Sequence, residues 1–363
     1  MKKKMCLENH QIFFTFKITF DCVNKWCKYK IYIYVHCTDC TQYDILDNVE
    51  YLLDNKYIDL PKQSFTKVKK HVERIERIDN ICSSTCHESK VSNIPDKIES
   101  DQHKHSVMNT ICEPVTKREL RTLFVDEKHK AIICLIPKVA SSTWKSILMK
   151  LQTQKSKKRS KNENKDFLSA HGLTHLSSYN SSDIQEKLRT YFKFMFVRHP
   201  FERLFSGYKD KFIHKHNLVR RLKIYQTLGT FKDTSNIFVG ENKSLATFQG
   251  FIKYILLKRK IAGLSMMNVH WQPYHHLCHP CRIHYDFIGK FDTFKEDTEY
   301  VIHKLKSNLQ RSTNKLFKYI KPSSHDNYKD AFRNISLKDI KDLYKIYKGD
   351  IELFNYSVDF LPE

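Results

Sequence analysis

The sequence predicts an α/β fold: a mainly parallel sheet flanked by helices, preceded by a poorly structured N-terminal extension. Three observations predict it. Residues 131–136 (AIICLI) and 193–197 (KFMFV) are unbroken apolar runs of strand length, as expected for strands buried on both faces. Each is followed within a few residues by helical periodicity, the alternation that builds a parallel sheet. Residues 1–110, by contrast, mix Lys, His, Cys and Asp without sustained periodicity.

In chain order, residues 120–125 lead into the first buried run, which Pro137 ends. Trp144, Ile147, Leu148 and Leu151 then recur at i, i+3, i+4, i+7, one face of a helix, for which Ser141, Ser142 or Thr143 is the N-cap. Residues 152–166 are a polar, basic loop, and 184–191 are helical. After the second run, Pro200 suits the first turn of a helix carrying Phe201, Leu204, Phe205, Tyr208 and Phe212 on its apolar face. Residues 245–257 form an amphipathic helix and 285–290 a strand. Thr293 and Glu296 make a capping box for the next helix, and Ser336 opens the last one. The domain boundary falls at 117/118, with residues 1–117 a stem or poorly ordered extension and 118–363 one α/β domain.

The chain carries 63 Lys+Arg against 40 Asp+Glu, a formal charge of +23 over 363 residues. Such a charge speaks of partners rather than fold, and fits a polyanion or a phosphate-rich ligand. No zinc-finger, RNP or helix-turn-helix signature supports nucleic acid as that polyanion. Eight of the 11 cysteines precede residue 113, so a disulfide framework is expected mostly there. With sequons at Asn180, Asn242, Asn334 and Asn355, the cysteines point toward an oxidising, secretory setting. The best membrane candidate, residues 11–22, is short and interrupted by Lys17 and Asp21, whereas a spanning helix needs ~20 apolar residues.

Two strand-to-helix junctions carry the candidate chemistry. The first is Pro137-Lys138-Val139-Ala140-Ser141-Ser142-Thr143, where backbone N–H groups and the positive helix end converge on one spot, an anion site, with Lys138 as a mobile charge and three hydroxyls as donors. It lacks the G-x-x-x-x-G-K-[ST] pattern of nucleoside triphosphatases. The second runs from Phe196 through Arg198, His199, Pro200 and Arg203 to Ser206. Arg198 sits at a strand end, where open α/β sheets bind ligands, and Arg198 with Ser206 is suited to a second phosphate. Cys278 and Cys281, with His275, His276, His279 and His284 nearby, are compatible with zinc or with disulfides, and the sequence does not give the partners. Cys134, inside a strand, is expected to be a buried small hydrophobe.

PKVASSTWKSILMKL resembles the 5′-phosphosulfate loop of the Golgi carbohydrate sulfotransferases, and FVRHPFERLFSGYKDKF resembles their 3′-phosphate motif. Residues 270–297 (HWQPYHHLCHPCRIHYDFIGKFDTFKED) and the closing LFNYS resemble the chondroitin 4-O-sulfotransferase and HNK-1 branch, and the resemblance spans about 118–356. Family members commonly carry Cys in place of Ser141 and often Glu in place of His199. The resemblance implies a P-loop-like sulfotransferase fold and 3′-phosphoadenosine 5′-phosphosulfate (PAPS) as sulfuryl donor, with no metal. Pro137 through Thr143 would hold the 5′ end of the donor, and Arg198, Pro200, Arg203 and Ser206 its 3′-phosphate. Lys138 would neutralise the leaving group. His171 is the candidate general base, with His270 and Glu202 also open.

The implied acceptor is a glycosaminoglycan or glycoprotein glycan, in particular the 4-hydroxyl of N-acetylgalactosamine in chondroitin or dermatan. A glucuronate acceptor of the HNK-1 type is the alternative. A basic, non-catalytic glycan- or nucleic-acid-binding protein is the rival from another class. The basic run 155–165 is either a solvated loop or a hold on an acidic polysaccharide. A Golgi-lumenal location follows from the resemblance, although the membrane anchor it implies is not evident in the sequence.

Overall fold

The computed structural model describes residues 2–7, 10–23, 26–37, 62–91, 115–152, 172–213, 247–305 and 328–360. The chain divides into two compact units, Met1–Glu73 and Arg74–Glu363. In the first, β1 (Lys2–Leu7), β2 (His10–Val23) and β3 (Trp26–Cys37) form an antiparallel sheet in that order. Its register pairs Phe14 with Val35, Phe16 with Ile33 and Ile18 with Ile31. The sequence reading expected no regular element here. The physical signal is an alternation of Phe14, Phe16, Ile18 and Phe20 with Thr15, Lys17, Thr19 and Asp21, which is a strand period. Helix α1 (Lys62–Val91) follows, and from Arg74 onward it belongs to the second unit.

The second unit is an α/β assembly whose strands are β4 (Leu123–Asp126), β5 (Ala131–Cys134), β6 (Leu173–His175), β7 (Phe192–Val197) and β8 (Phe287–Lys290), in the spatial order β6-β4-β5-β7-β8. The β5–β7 and β7–β8 pairings are parallel, and the β4–β5 and β4–β6 pairings antiparallel. The sheet is therefore mixed rather than mainly parallel in its pairings, because β4 runs against the other strands. The cause is local: residues 127–130 are too short a link for a crossover, so β4 and β5 close as a hairpin. Asp126, buried, holds that turn by accepting the His129 N–H at 3.1 Å and the Gln152 amide at 2.6 Å.

Helix α2 (Ser141–Gln152) connects β5 toward β7, with α3 (Ser181–Thr190) intervening. Helix α4 (Pro200–Tyr208) leaves β7 and continues as a π turn over Lys209–Ile213. Then come α5 (Phe248–Ala262), the short α6 (Tyr274–Leu277), α7 (Phe294–Leu305), α8 (Tyr328–Arg333) and α9 (Leu337–Leu353). Ser336 caps α9 as expected, accepting the Asp339 N–H. At α7 the expected Thr293–Glu296 box is replaced: the Thr293 hydroxyl donates to Asp297 at 2.6 Å, and Asp297 also accepts the Lys290 N–H and Arg74.

Two apolar cores pack among the described residues of this unit. One is built on the sheet around Val125, Ile132, Phe194, Met195 and Phe287. The other is a helical, aromatic cluster of Phe201, Phe251, Trp271, Phe332 and Tyr347. Cys134 is buried but is not a free thiol: it is joined to Cys278, and Cys281 is joined to Cys82 of α1. Both sulfurs of the Cys278–Cys281 segment are thus committed to disulfides and unavailable as zinc ligands. Among the described residues no group of His, Cys, Asp or Glu is arranged to hold a metal ion, and no helix is long and apolar enough to cross a membrane.

Candidate active site

The C-terminal ends of β5, β7 and β8 lie side by side at one edge of the sheet, because these strands are parallel neighbours. The β5–α2 junction is a tight turn in which Lys138 (φ 70°) and Ala140 (φ 53°) both occupy the left-handed region. Side chains with a Cβ avoid that region, at a cost of ~1–3 kcal/mol per residue. The turn persists because its carbonyls are tied back. Pro137 O accepts Arg203 Nε at 3.1 Å, Lys138 O accepts Arg198 Nη1 at 3.4 Å, and Ala140 O accepts the Trp144 N–H at 2.9 Å. Left-handed residues interspersed in such a turn gather backbone N–H groups into a concavity suited to an anion.

Helix α2 starts at Ser141, so the hydroxyls of Ser141, Ser142 and Thr143 lie in its first turn and add donors to the same end. Trp144 anchors the helix: it is buried and packs on Phe194 and Phe196, at centroid distances of 5.1 and 5.0 Å. The Lys138 ammonium lies 3.5 Å from the Asp210 carboxylate of the π turn. Burial lowers the pKa of Lys138, the neighbouring Lys211 and Arg198 lower it further, and Asp210 opposes them.

At the β7–α4 junction, Arg198 is buried against Phe291, 4.5 Å from its ring, and pairs with Glu202 at 2.7 Å. Its Nε is buried and has no hydrogen-bond partner among the described residues. Tyr274 clasps the Arg198 backbone, its hydroxyl accepting the N–H at 3.0 Å and donating to the carbonyl at 2.9 Å. His199 caps α4. Its Nδ1 accepts the Phe201 N–H at 3.2 Å while its Nε2 donates to Ser357 O at 2.8 Å, an arrangement that requires a neutral ring. Burial lowers its pKa accordingly. Pro200 occupies the first turn, and Ser206 is half-buried on the same helix.

Arg203 is 1% exposed, and besides Pro137 O it donates to Gln272 O at 2.7 Å and Val269 O at 2.8 Å. Its plane also stacks on Tyr274 at 4.7 Å. The guanidinium is thus spent on three carbonyls, a geometry that pins the first junction rather than offering a free fork to a ligand. Of the candidate bases, His171 lies outside the described residues. His270 Nδ1 is 2.6 Å from Asn268 Oδ1, and Glu202 is the buried counter-ion of Arg198.

Sequence reasoning missed Tyr274, Asp350 and Asp210. Asp350, fully buried on α9, accepts the N–H groups of Tyr274 and His275 at 2.7 and 3.1 Å and so places Tyr274. Its role had no local signal, whereas Asp210 stood in plain view within the GYKDKF run.

Two neighbouring strand ends thus carry, side by side, a left-handed turn with a lysine and a buried arginine whose Nε has no partner among the described residues. The chain belongs to the sulfotransferase family, whose pattern matches residues 121–357. It is 33% identical over 279 residues to carbohydrate sulfotransferase 11 of Rattus norvegicus, covering 72% of this chain and 75% of that one. It is 30% identical over 322 residues to carbohydrate sulfotransferase 10 of Homo sapiens, covering 84% and 80%. No solved structure gives a significant match.

Proposed function

We propose that the protein transfers a sulfuryl group from PAPS to a glycan hydroxyl, the 4-hydroxyl of N-acetylgalactosamine in chondroitin or dermatan. The observation that carries the donor assignment is the left-handed turn at Lys138 and Ala140, with its carbonyls turned back into the protein. The family membership and relatives named as carbohydrate sulfotransferases support a sugar acceptor. The resemblance of residues 270–297 to the chondroitin branch supports the 4-position, and a formal net charge of +23 suits an acidic polysaccharide.

In this reading the N–H groups of residues 139–143 hold the 5′-phosphate in a P-loop-like manner, and Arg198 Nε with Ser206 holds the 3′-phosphate. The acceptor oxygen forms its bond to sulfur as the bond from sulfur to the bridging oxygen breaks. The electron pair leaves on the 5′-phosphate, and the hydroxyl proton passes to a base, for which His171 is proposed. Lys138 neutralises the charge growing on the bridging oxygen, and positioning with electrostatics supplies most of the acceleration. Arg203 contributes by fixing Pro137, and Pro200 by fixing the start of α4. The Cys134–Cys278 and Cys82–Cys281 disulfides support an oxidising compartment, in keeping with a Golgi-lumenal enzyme.

The test is transfer of labelled sulfate from PAPS to a panel of desulfated glycans, followed by disaccharide analysis. Label on the 4-position of N-acetylgalactosamine is expected. Label only at the 6-position or on glucuronate would overturn the acceptor assignment, the latter in favour of an HNK-1-type acceptor. No transfer to any glycan would overturn the activity itself.

A further inference from the structure

Helix α4 does not simply end after Tyr208; it widens into the π turn Lys209–Ile213. Such turns insert a residue without breaking the helix and are frequent at functional sites. Here the turn keeps Tyr208 and Phe212 packed together, with centroids 5.9 Å apart, in the aromatic core. Asp210, midway between them, is left partly exposed, with 33% of its side chain accessible. Its carboxylate takes two ammonium groups, Lys211 at 2.8 Å and Lys138 at 3.5 Å. Lys138 belongs to the other junction, so this pair bridges the two loops of the site.

We infer that Asp210 is a positioning residue for sulfuryl transfer: its carboxylate ties the Lys138 ammonium to the end of α4 and fixes where that charge sits beside the loop. This rests on the activity proposed above. Among the described residues, the charged groups acting most strongly on Lys138 are Asp210 and Lys211 of the π turn and Arg198 of the β7–α4 junction; of these, Asp210 favours the ammonium form and the other two oppose it. Without it, a partly buried lysine faces two like charges, and both its protonation and its aim suffer.

The test compares wild type with Asp210→Asn and Asp210→Glu in the full chain, with two readouts. The first is the pH dependence of Lys138 acetylation by acetic anhydride in the unliganded protein, read by peptide mass spectrometry. In Asp210→Asn the midpoint for Lys138 should fall by about one pH unit. The second is sulfate transfer at saturating PAPS. The Asn variant should lose about tenfold in kcat at neutral pH, with its alkaline limb displaced downward by the same amount. Its affinity for 3′-phosphoadenosine 5′-phosphate should stay within about threefold, and Asp210→Glu should recover the wild-type profile. An unchanged Lys138 labelling midpoint in Asp210→Asn overturns the inference, as does a kcat loss matched by an equal loss of nucleotide binding. Labelling needs no turnover, so it decides the ion pair even if the transfer reaction itself is not found.

Discussion

Replacing Arg203 by Lys separates a residue that builds the site from one that touches the ligand. The wild-type guanidinium donates to three carbonyls, Pro137 at 3.1 Å, Gln272 at 2.7 Å and Val269 at 2.8 Å, from a position 1% exposed. A lysine keeps the charge but presents one nitrogen, which cannot reach carbonyls spread around a planar fork. Charged hydrogen bonds contribute ~1.5–3 kcal/mol each, and losing one or two of the three with partial relaxation gives ~2–4 kcal/mol. For a unit of this size that lowers Tm by ~5–10 °C. Differential scanning calorimetry measures the shift, and titration with 3′-phosphoadenosine 5′-phosphate should show weaker binding because Pro137 is no longer held. If Arg203→Lys melted with wild-type Tm yet lost nucleotide binding, Arg203 would be a direct ligand and the positioning argument would be wrong.

Lys138→Ala should lower kcat by about 10²–10³-fold while changing nucleotide affinity little, since in the proposed reaction its partner charge develops in the transition state; steady-state kinetics beside calorimetric binding checks this. Acid should destabilise the fold. Burial lowers the pKa of His199 and pushes those of His276 and His279 down to about 3 and about 4. The unfolded chain therefore takes up protons that the folded one does not, so stability is full above about pH 6.5 and declines as pH falls toward the folded values. Urea midpoints at pH 7 and pH 5 test the sign, and a midpoint that does not fall would contradict it. Replacing Cys134 and Cys278 together by Ser removes a link across 144 residues and should cost ~5 kcal/mol by chain entropy, read as a lower urea midpoint.

What the sequence made legible was what depends on near neighbours. The runs at 131–136 and 193–197 became β5 and β7, and the apolar spacing after Pro200 became α4, its Phe212 kept in phase by the π turn. Strand β6, three residues long, is too short to show a period. Strand β2 of the β2–β3 hairpin carries its alternation openly, but the apolar content of residues 11–22 masks that period as a short membrane-like run. Lys138 and Arg198 stand out in the sequence by their strand-end positions, and the structure places them beside one another, with Arg198 donating to Lys138 O. The burial of Arg203, the Asp350–Tyr274 contact and the Cys134–Cys278 bond depend on partners 66 to 144 residues away, and pairing at that distance leaves no local pattern.

In the proposed function the two junctions form one site for a nucleotide with anions at both ends. Thermal shift of the full chain with 3′-phosphoadenosine 5′-phosphate against AMP distinguishes such a site from one that reads a single phosphate. At a hundredfold excess over Kd a native-state ligand stabilises by ~2.7 kcal/mol, so the bisphosphate should raise Tm by several degrees and AMP, lacking the 3′ group, by much less. Equal shifts with the two nucleotides, or none with either, would rule out a site that grips both phosphates.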